Sequence, residues 1–309
     1  MKRDLAWTRA RVASTAVPEG HPTVAYDFRA LEFSRLWLGR EKTTALERAV
    51  VSRGLAGASG ARVLEVGPGN GRITPVLRAT FREYYGIDVT PSFVRSLIEL
   101  GREPDHYYVA DVHRLPFRTE SFTAVSMVRV FNFLTEPLLA LREIYRVLVP
   151  GGTLLVSYYP VPSLATLQDD LRKQLAAVRP PGFRPITLSR SETTLPRRRR
   201  FDGQIREVGL LREREYVTGL EDSRFGRWLR VEMLLPLSEL ASRFDLLPHR
   251  FVVARKPGSG SGASPPADVL SCPRCRADLP MTNGPLALPI LCDSCGAQFP
   301  AISGTVDFR

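Results

Sequence analysis

Two hydrophobic periods divide this chain. Between Tyr26 and Gly57 apolar residues recur every three or four positions, the spacing of one or two amphipathic helices. From Ala61 the pattern changes to short apolar runs of strand length: "ARVLEV", "EYYGIDV", "HYYVADV", "FTAVSMV" and "GGTLLVSYY". The segments between them, "GRITPVLRATF", "TPSFVRSLIELG" and "EPLLALREIYRVLVPGG", return to helical spacing. Thr90 with Pro91 behind it reads as a helix start, and Pro150-Gly151 as a helix end. Strands alternating with helices predict a parallel sheet covered on both faces, and residues 1–160 supply five of its strands.

Beyond residue 160 the pattern predicts a helix in "SLATLQDDLRKQLAAV", a hairpin in "GQIREVGLLREREYVTG", a short helix in "LSELASRF" and a last strand in "HRFVVARKP". A sixth strand has no assigned place. Residues 256–268, rich in Gly, Ser and Pro, read as a flexible linker that isolates two cores. The organisation expected is a tail over 1–25, a main domain over 26–255 with a substrate or lid segment at 161–230, and a small module over 269–309.

Composition adds bounds. The 309 residues are 44% hydrophobic and 24% charged, as in ordinary soluble proteins. No apolar run approaches the roughly 20 residues of a membrane helix. The first residues lack the apolar core of a secretory signal. The expectation is therefore a cytoplasmic protein with no membrane partner. Net charge is +11, and residues 161–256 carry 19 basic against 12 acidic side chains. That excess, with the run Pro196–Arg200, fits contact with an acidic partner such as RNA phosphate, or a solvated segment in which Glu207, Glu213 and Glu215 are interleaved.

The chemistry begins at "VLEVGPGNGRI". A strand ends at Glu65, and Gly67, Gly69 and Gly71 follow with Arg72 behind them. A strand, a glycine turn and a helix bring backbone N–H groups close to a nucleotide. The dinucleotide fingerprint is G-x-G-x-x-G, whereas this pattern is E-x-G-x-G-x-G, which disfavours an NAD dehydrogenase. Asp88 closes the second strand, where a carboxylate accepts hydrogen bonds from both ribose hydroxyls. Asp111, after the third strand, is placed to take an exocyclic amine of adenine, with the Val112 amide on a ring nitrogen. All lie at the carboxyl edge of the sheet, where open α/β folds bind ligands.

With "YYGIDVT", "YYVADVHRLPF", "FTAVSMVRVFNFL" and "EIYRVLVPGGTLLVSYY" following in order, residues 26–160 resemble the class I S-adenosylmethionine-dependent methyltransferases, in particular those with the type 11 domain. The resemblance implies a doubly wound, mostly parallel seven-stranded sheet ending in an antiparallel hairpin, with "RFVVARKP" as the final strand. It implies that Glu65, Gly67, Gly69, Asn70 and Gly71 surround the methionine and ribose portions of S-adenosylmethionine. Asp88 would hold the ribose, Val89 and Val112 would flank the adenine, and Asp111 would hold its amine. Met127 and Val128 would lie beside the sulfonium. Tyr26, Arg129, Asn132, Tyr158 and Tyr159 are candidate substrate-facing groups, each equally open to a packing role. His106 and His113 read as surface or satisfied histidines, and no catalytic base is named.

Missing groups narrow the reaction. Neither Asn-Pro-Pro-Tyr nor Asp-Pro-Pro-Tyr, used on exocyclic amines, follows the fourth strand; no cysteine precedes residue 270, which disfavours nucleobase C5 methylation. The cysteines, Cys272, Cys275, Cys292 and Cys295, are spaced C-x2-C-x16-C-x2-C, the spacing of a closed four-thiolate site for structural zinc. Residues 269–309 resemble the small zinc-ribbon activator subunit of translation-associated methyltransferases. Two substrate classes stay open: RNA or translation machinery docked by the ribbon and Arg-rich segment, and a small molecule covered by the lid segment. A cofactor-binding protein without catalysis is a third reading.

Overall fold

Strand β1, Gly60–Val66, is the strand around which the sheet is ordered. It pairs in parallel with β2, Phe81–Asp88, on one side and with β4, Phe122–Met127, on the other. The structure, a computed structural model, describes residues 37–58, 60–100, 106–160, 196–223, 225–244, 247, 249–258, 269–280, 289–302 and 304–309. Beyond β2 lies β3, His106–Val109; beyond β4 lie β5, Leu148–Tyr158, then β7, His249–Arg255, then β6, Leu211–Thr218. The order β3-β2-β1-β4-β5-β7-β6 has five parallel strands followed by two antiparallel pairings, β5 with β7 and β7 with β6. This is the seven-stranded architecture expected. Because neighbours of β1 are reached by crossovers in opposite directions, the chain parts at the carboxyl ends of β1 and β4 and leaves a crevice.

Side chains alternate across the sheet with the strand period of two. Val63, Tyr84, Ala124, Leu155 and Val253 face one apolar cluster, closed by Val50, Val51 and Leu55 of α1 (Glu41–Leu55), Leu77 of α2 (Thr74–Thr80) and Val94 and Leu97 of α3 (Pro91–Glu99). Leu64, Tyr85, Val125, Leu154 and Val252 face the other, closed by Leu141, Ile144 and Val147 of α4 (Pro137–Val147).

The segment expected as a hairpin folds differently. Arg198–Glu207 is a helix, α5, and Leu211–Thr218 alone is a strand, the sixth that had no assigned place. Only Phe201 and Ile205, one helical turn apart, are apolar in the first half of α5 and its centre; both are buried, and the Phe201 ring stacks on Tyr158 at 4.0 Å. Two anchors at i and i+4 dock a helix that is otherwise polar. Gly209, at φ +87°, ends it in the left-handed conformation. The short helix expected near Leu237 starts earlier and spans α6, Val231–Ala241. The helix expected over 163–178 and the first part of the Tyr26–Gly57 helices lie outside the described residues.

The four-cysteine module does not stand apart. Its strands β8 (Ile290–Leu291) and β9 (Gln298–Phe299), and β10 (Ala301–Ile302) and β11 (Thr305–Val306), form two small hairpins. Val269, Leu270, Leu279, Ile290, Phe299 and Phe308 join the same apolar cluster as Leu115, Phe117 and Tyr108 of the main domain. The Arg118 amide donates to Val269 O at 2.8 Å, the Ser271 amide to Pro116 O at 3.0 Å, and Arg276 reaches Glu143 at 2.9 Å. Asp307 bridges Val109 in parallel, so the tail covers the outer edge of β3. The expected isolation of two cores therefore gives way to a shared one. About forty residues carry too little apolar surface to close a core alone, and here the surface of β3 and of the Leu115–Phe117 turn completes it.

This sharing predicts a single unfolding transition. Leu270→Ala should cost about 2–5 kcal/mol and lower that one transition in calorimetry. Two transitions, with only a small one moving, would contradict the shared core.

Candidate active site

At the end of β1 the backbone turns through Gly67, Pro68 and Gly69 into the loop before α2. Gly67 has φ +69°, and a Cβ there would meet Val130 Cγ2 at 2.3 Å. Gly71 has φ +73°, and its Cβ would meet Leu97 at 2.8 Å. Neither position admits a side chain without moving its neighbour. The loop is held to β2: the Gly67 amide donates to Ile87 O at 2.8 Å, and the Gly69 amide to Asp88 Oδ2 at 3.2 Å. Asn70 lies between Gly69 and Gly71, half-buried in the same loop.

Three carboxylates are buried along this edge. Glu65 accepts from Thr74 Oγ1 at 2.7 Å and Tyr84 Oη at 2.5 Å, and burial pushes its carboxyl up to about 7 against those two donors. Asp88 accepts from the Thr90 amide at 2.9 Å and from Gly69; burial pushes it up to about 6. Asp111 accepts from the His113 amide at 2.9 Å and stands 2.6 Å from His113 Nδ1. His113 is thus a buried histidine held to Asp111 through Nδ1, and His106 stacks on Tyr85 at 4.6 Å. Val89 and Val112 follow Asp88 and Asp111 directly, while Met127 and Val128 close β4 on the other side of the crevice.

A second cluster, formed by residues far apart in the chain, occupies the ends of β4 and β5. Arg129 is a non-glycine residue at φ +63°, its amide donating to Ser157 Oγ at 2.8 Å. Its guanidinium reaches Glu47 Oε1 at 2.5 Å and the Tyr159 hydroxyl. Arg72 pairs with the other Glu47 oxygen and stacks over Trp37 at 3.8 Å. His249 lies 3.3 Å from Glu47 Oε1 and 2.9 Å from Ser157 Oγ, with the Tyr159 ring stacked on it at 4.5 Å. Burial alone would raise the Glu47 carboxyl, but Arg129, then His249 and Arg72, hold it well below the usual range. Burial and Arg129 push His249 down to about 4, against the opposing pull of Glu47. The cluster thus sets two guanidinium groups against one carboxylate.

Of the substrate-facing candidates, Arg129, Asn132 and Tyr159 come together; Asn132 Oδ1 accepts from the Tyr159 amide at 2.8 Å. Tyr158 points through the opposite face of the sheet onto Phe201, and Tyr26 lies outside the described residues. Glu47, Trp37, Arg72 and His249 were not among the candidates. One signal was present for Glu47: it lies on the same face of α1 as Thr43, Val50 and Val51, where a charge is out of place.

The Sγ atoms of Cys272, Cys275, Cys292 and Cys295 all lie within 4.8 Å of one another, with Cys272 to Cys295 at 3.7 Å and Cys275 to Cys292 at 3.5 Å. Sulfurs about 2.3 Å from one tetrahedral ion stand roughly 3.8 Å apart, so the four thiolates fit zinc.

Comparison with known proteins agrees with the crevice. Residues 64–156 match the methyltransferase domain family. Those residues thus resemble a methyltransferase domain. A demethylmenaquinone methyltransferase of Clavibacter sepedonicus is 28% identical over 141 residues, 44% of this chain and 56% of that protein. A malonyl-[acyl-carrier protein] O-methyltransferase of Serratia marcescens is 26% identical over 168 residues, 52% of this chain and 64% of that protein. The chain spans about half the length of the first curated relatives it matches. An S-adenosylmethionine-dependent methyltransferase from Thermotoga maritima shares the fold, with TM-score 0.51 and 18% identity over 73% of this chain and 95% of that one. The methyltransferase domain thus contributes the glycine loop and the three acids, while Glu47 and His249 come from outside the matched residues. No helix among the described residues is long and apolar enough to cross a membrane.

Two outcomes follow for the isolated protein. Glu65 and Asp88 both have folded values above their ordinary 4.5 and 3.8. The native state therefore holds protons that the unfolded chain releases, and stability present at pH 4 is lost as pH rises toward 7. Glu65 accounts for a ceiling of about 3 kcal/mol. In denaturant titrations from pH 4 to 8, Glu65→Gln should flatten this fall, and an unchanged slope would remove the assignment. Purified protein should also carry one zinc per chain by elemental analysis, with none or a disulfide-linked module ruling the metal site out.

Proposed function

We propose that this protein is an S-adenosylmethionine-dependent methyltransferase acting on a small acceptor that reacts as an anion or carries one beside the reacting atom. The arrangement of Glu65, Asp88 and Asp111 on successive strand ends carries the first half. Asp88 supplies an acceptor for ribose hydroxyls and Asp111 one for the adenine amine, with Val89 and Val112 on either side of the ring. Glu65, Gly67, Gly69, Asn70 and Gly71 surround the methionine end, and Met127 and Val128 lie beside the sulfonium. When bound, the cofactor supplies an electrophilic methyl group. The protein's part is to align the acceptor, exclude water and hold charge where the nucleophile reacts.

The second half rests on the acceptor end. Arg72 and Arg129 outnumber Glu47, so the local charge is positive. Such a field favours a phenolate, enolate or carboxylate nucleophile and disfavours a protonated amine. The Arg-rich segment gives less support to RNA. Arg198 pairs with Glu215 at 2.8 Å, and Arg212 with Glu215 at 2.7 Å and Asp202 at 3.0 Å, so these charges serve the fold. Arg197, Arg199 and Arg200 remain exposed and keep a translation-linked acceptor as the second reading.

Calorimetric titration tests the cofactor. S-Adenosylhomocysteine should bind the wild type and bind Asp88→Ala at least about tenfold more weakly, given roughly 1.5–3 kcal/mol for each hydrogen bond to a charged group. Preferential NAD binding would overturn the reading. For the acceptor, labelled methyl from the cofactor should enter an acidic small-metabolite fraction of a strain lacking the gene. Label in RNA that weakens with salt would replace this acceptor with the second one.

A further inference from the structure

The peptide unit between Val89 and Thr90 is gripped from both sides. Its N–H, on Thr90, donates to Asp88 Oδ1 at 2.9 Å. Its carbonyl, on Val89, accepts from Arg309 Nη1 at 3.2 Å, across 220 positions of sequence. The guanidinium is aimed by a second group: Nε donates to Asp307 Oδ1 at 2.9 Å and Nη2 to Asp307 Oδ2 at 2.7 Å, while the Arg309 amide donates to Oδ1 at 3.1 Å. Asp307 is itself buried, its amide donating to Pro300 O at 2.9 Å.

The same segment is fastened along β3. The Phe308 amide donates to Val109 O at 2.8 Å, Thr305 Oγ1 donates to Tyr107 O, and the Phe308 ring meets Tyr108 at 5.6 Å. At the next residue the Ala110 amide donates to Asp88 O at 3.1 Å. The ends of β2 and β3, from which Asp88, Val89, Asp111 and Val112 project, are thereby tied to a third segment, Thr305–Arg309. A bidentate, half-buried guanidinium is a preorganised donor and loses little freedom in making its remaining bond.

We infer that Thr305–Arg309 completes the adenosine side of the cofactor site, with Arg309 a positioning residue that fixes the Val89–Thr90 peptide and through it the Asp88 carboxylate. The inference rests on the cofactor reading above. Without Arg309 the Val89 carbonyl loses its partner and the peptide is freer to rotate. Rotation removes the Thr90 N–H from Asp88 and misplaces the carboxylate that meets the ribose. The four-cysteine module, which carries this segment, is thus coupled to cofactor affinity through its tail and not through its metal ligands.

Calorimetric titration of the full-length protein tests this with two probes: S-adenosylhomocysteine, and 5′-methylthioadenosine, which has the adenosine half without the amino acid. Arg309→Ala should weaken both by about five- to tenfold, and Arg309→Lys, which keeps one charged donor, should stay within about twofold of wild type. Hydrogen exchange should accelerate at the Thr90 amide in Arg309→Ala while amides in β1 and β4 keep their protection. That readout separates positioning from general destabilisation. Wild-type affinity in Arg309→Ala, weakening of S-adenosylhomocysteine alone, or unchanged exchange at Thr90 would overturn the inference. Failure of the wild type to bind either probe would overturn the cofactor reading itself.

Discussion

Three buried carboxylates at one edge of the sheet are the constraint around which this structure is arranged. Glu65, Asp88 and Asp111 end or follow three adjacent strands and are nearly inaccessible to water. An ionised carboxylate there is costly unless hydrogen-bond donors surround it. The chain supplies donors of different kinds: hydroxyls from Thr74 and Tyr84 to Glu65, backbone amides from Gly69 and Thr90 to Asp88, and the His113 amide to Asp111. Those donors dictate local form. The glycine loop must fold back far enough for Gly69 to reach Asp88, and that path requires the positive φ of Gly67. The acids remain under-compensated, which is why Glu65 and Asp88 hold their protons more tightly than ordinary carboxylates. A ligand rich in hydroxyl and amine donors relieves that cost, so binding and folding strain are set against each other at one place.

Across the crevice the balance is reversed. Glu47 stands among Arg72, Arg129 and His249, and the attraction outweighs its desolvation. Removing one member of such a buried network strands the others, which is more damaging than the net worth of the network implies. The network also explains the strained backbone of Arg129. Its amide is fixed by Ser157 and its side chain by Glu47 and Tyr159, enough contacts to hold a conformation costing of order 1–3 kcal/mol. One cluster is thus rich in carboxylates and the other in guanidinium groups.

Much of the sheet was legible in the sequence because buried parallel strands are short, apolar and bounded by turn residues. The glycine loop, Asp88, Asp111 and the cysteine spacing were legible for a similar reason: each signal is local. What failed was non-local. Helix α5 shows only Phe201 and Ile205 to the core, too few for its period to stand out beside four arginines. The members of the Glu47 cluster come from α1, the glycine loop, the ends of β4 and β5, and β7, and no spacing rule joins Glu47 to His249. Tyr158 and Tyr159 look alike in sequence, yet the strand period sends Tyr158 to Phe201 and leaves Tyr159 with the cluster. The linker's composition was read as separation, whereas the apolar residues of the module beyond it, Leu270 and Phe308 above all, find their partners on the main domain.

The cofactor's placement on the three acids is the claim from which the acceptor assignment and the role of the tail both follow. A crystal structure of the protein with S-adenosylhomocysteine tests it most directly. The account predicts the ribose hydroxyls on the Asp88 carboxylate, the adenine between Val89 and Val112 with its amine on Asp111, and the sulfur facing Met127 and Val128. A ligand bound elsewhere, or a ribose held away from Asp88 with that carboxylate still bonded only to Gly69 and Thr90, would contradict it.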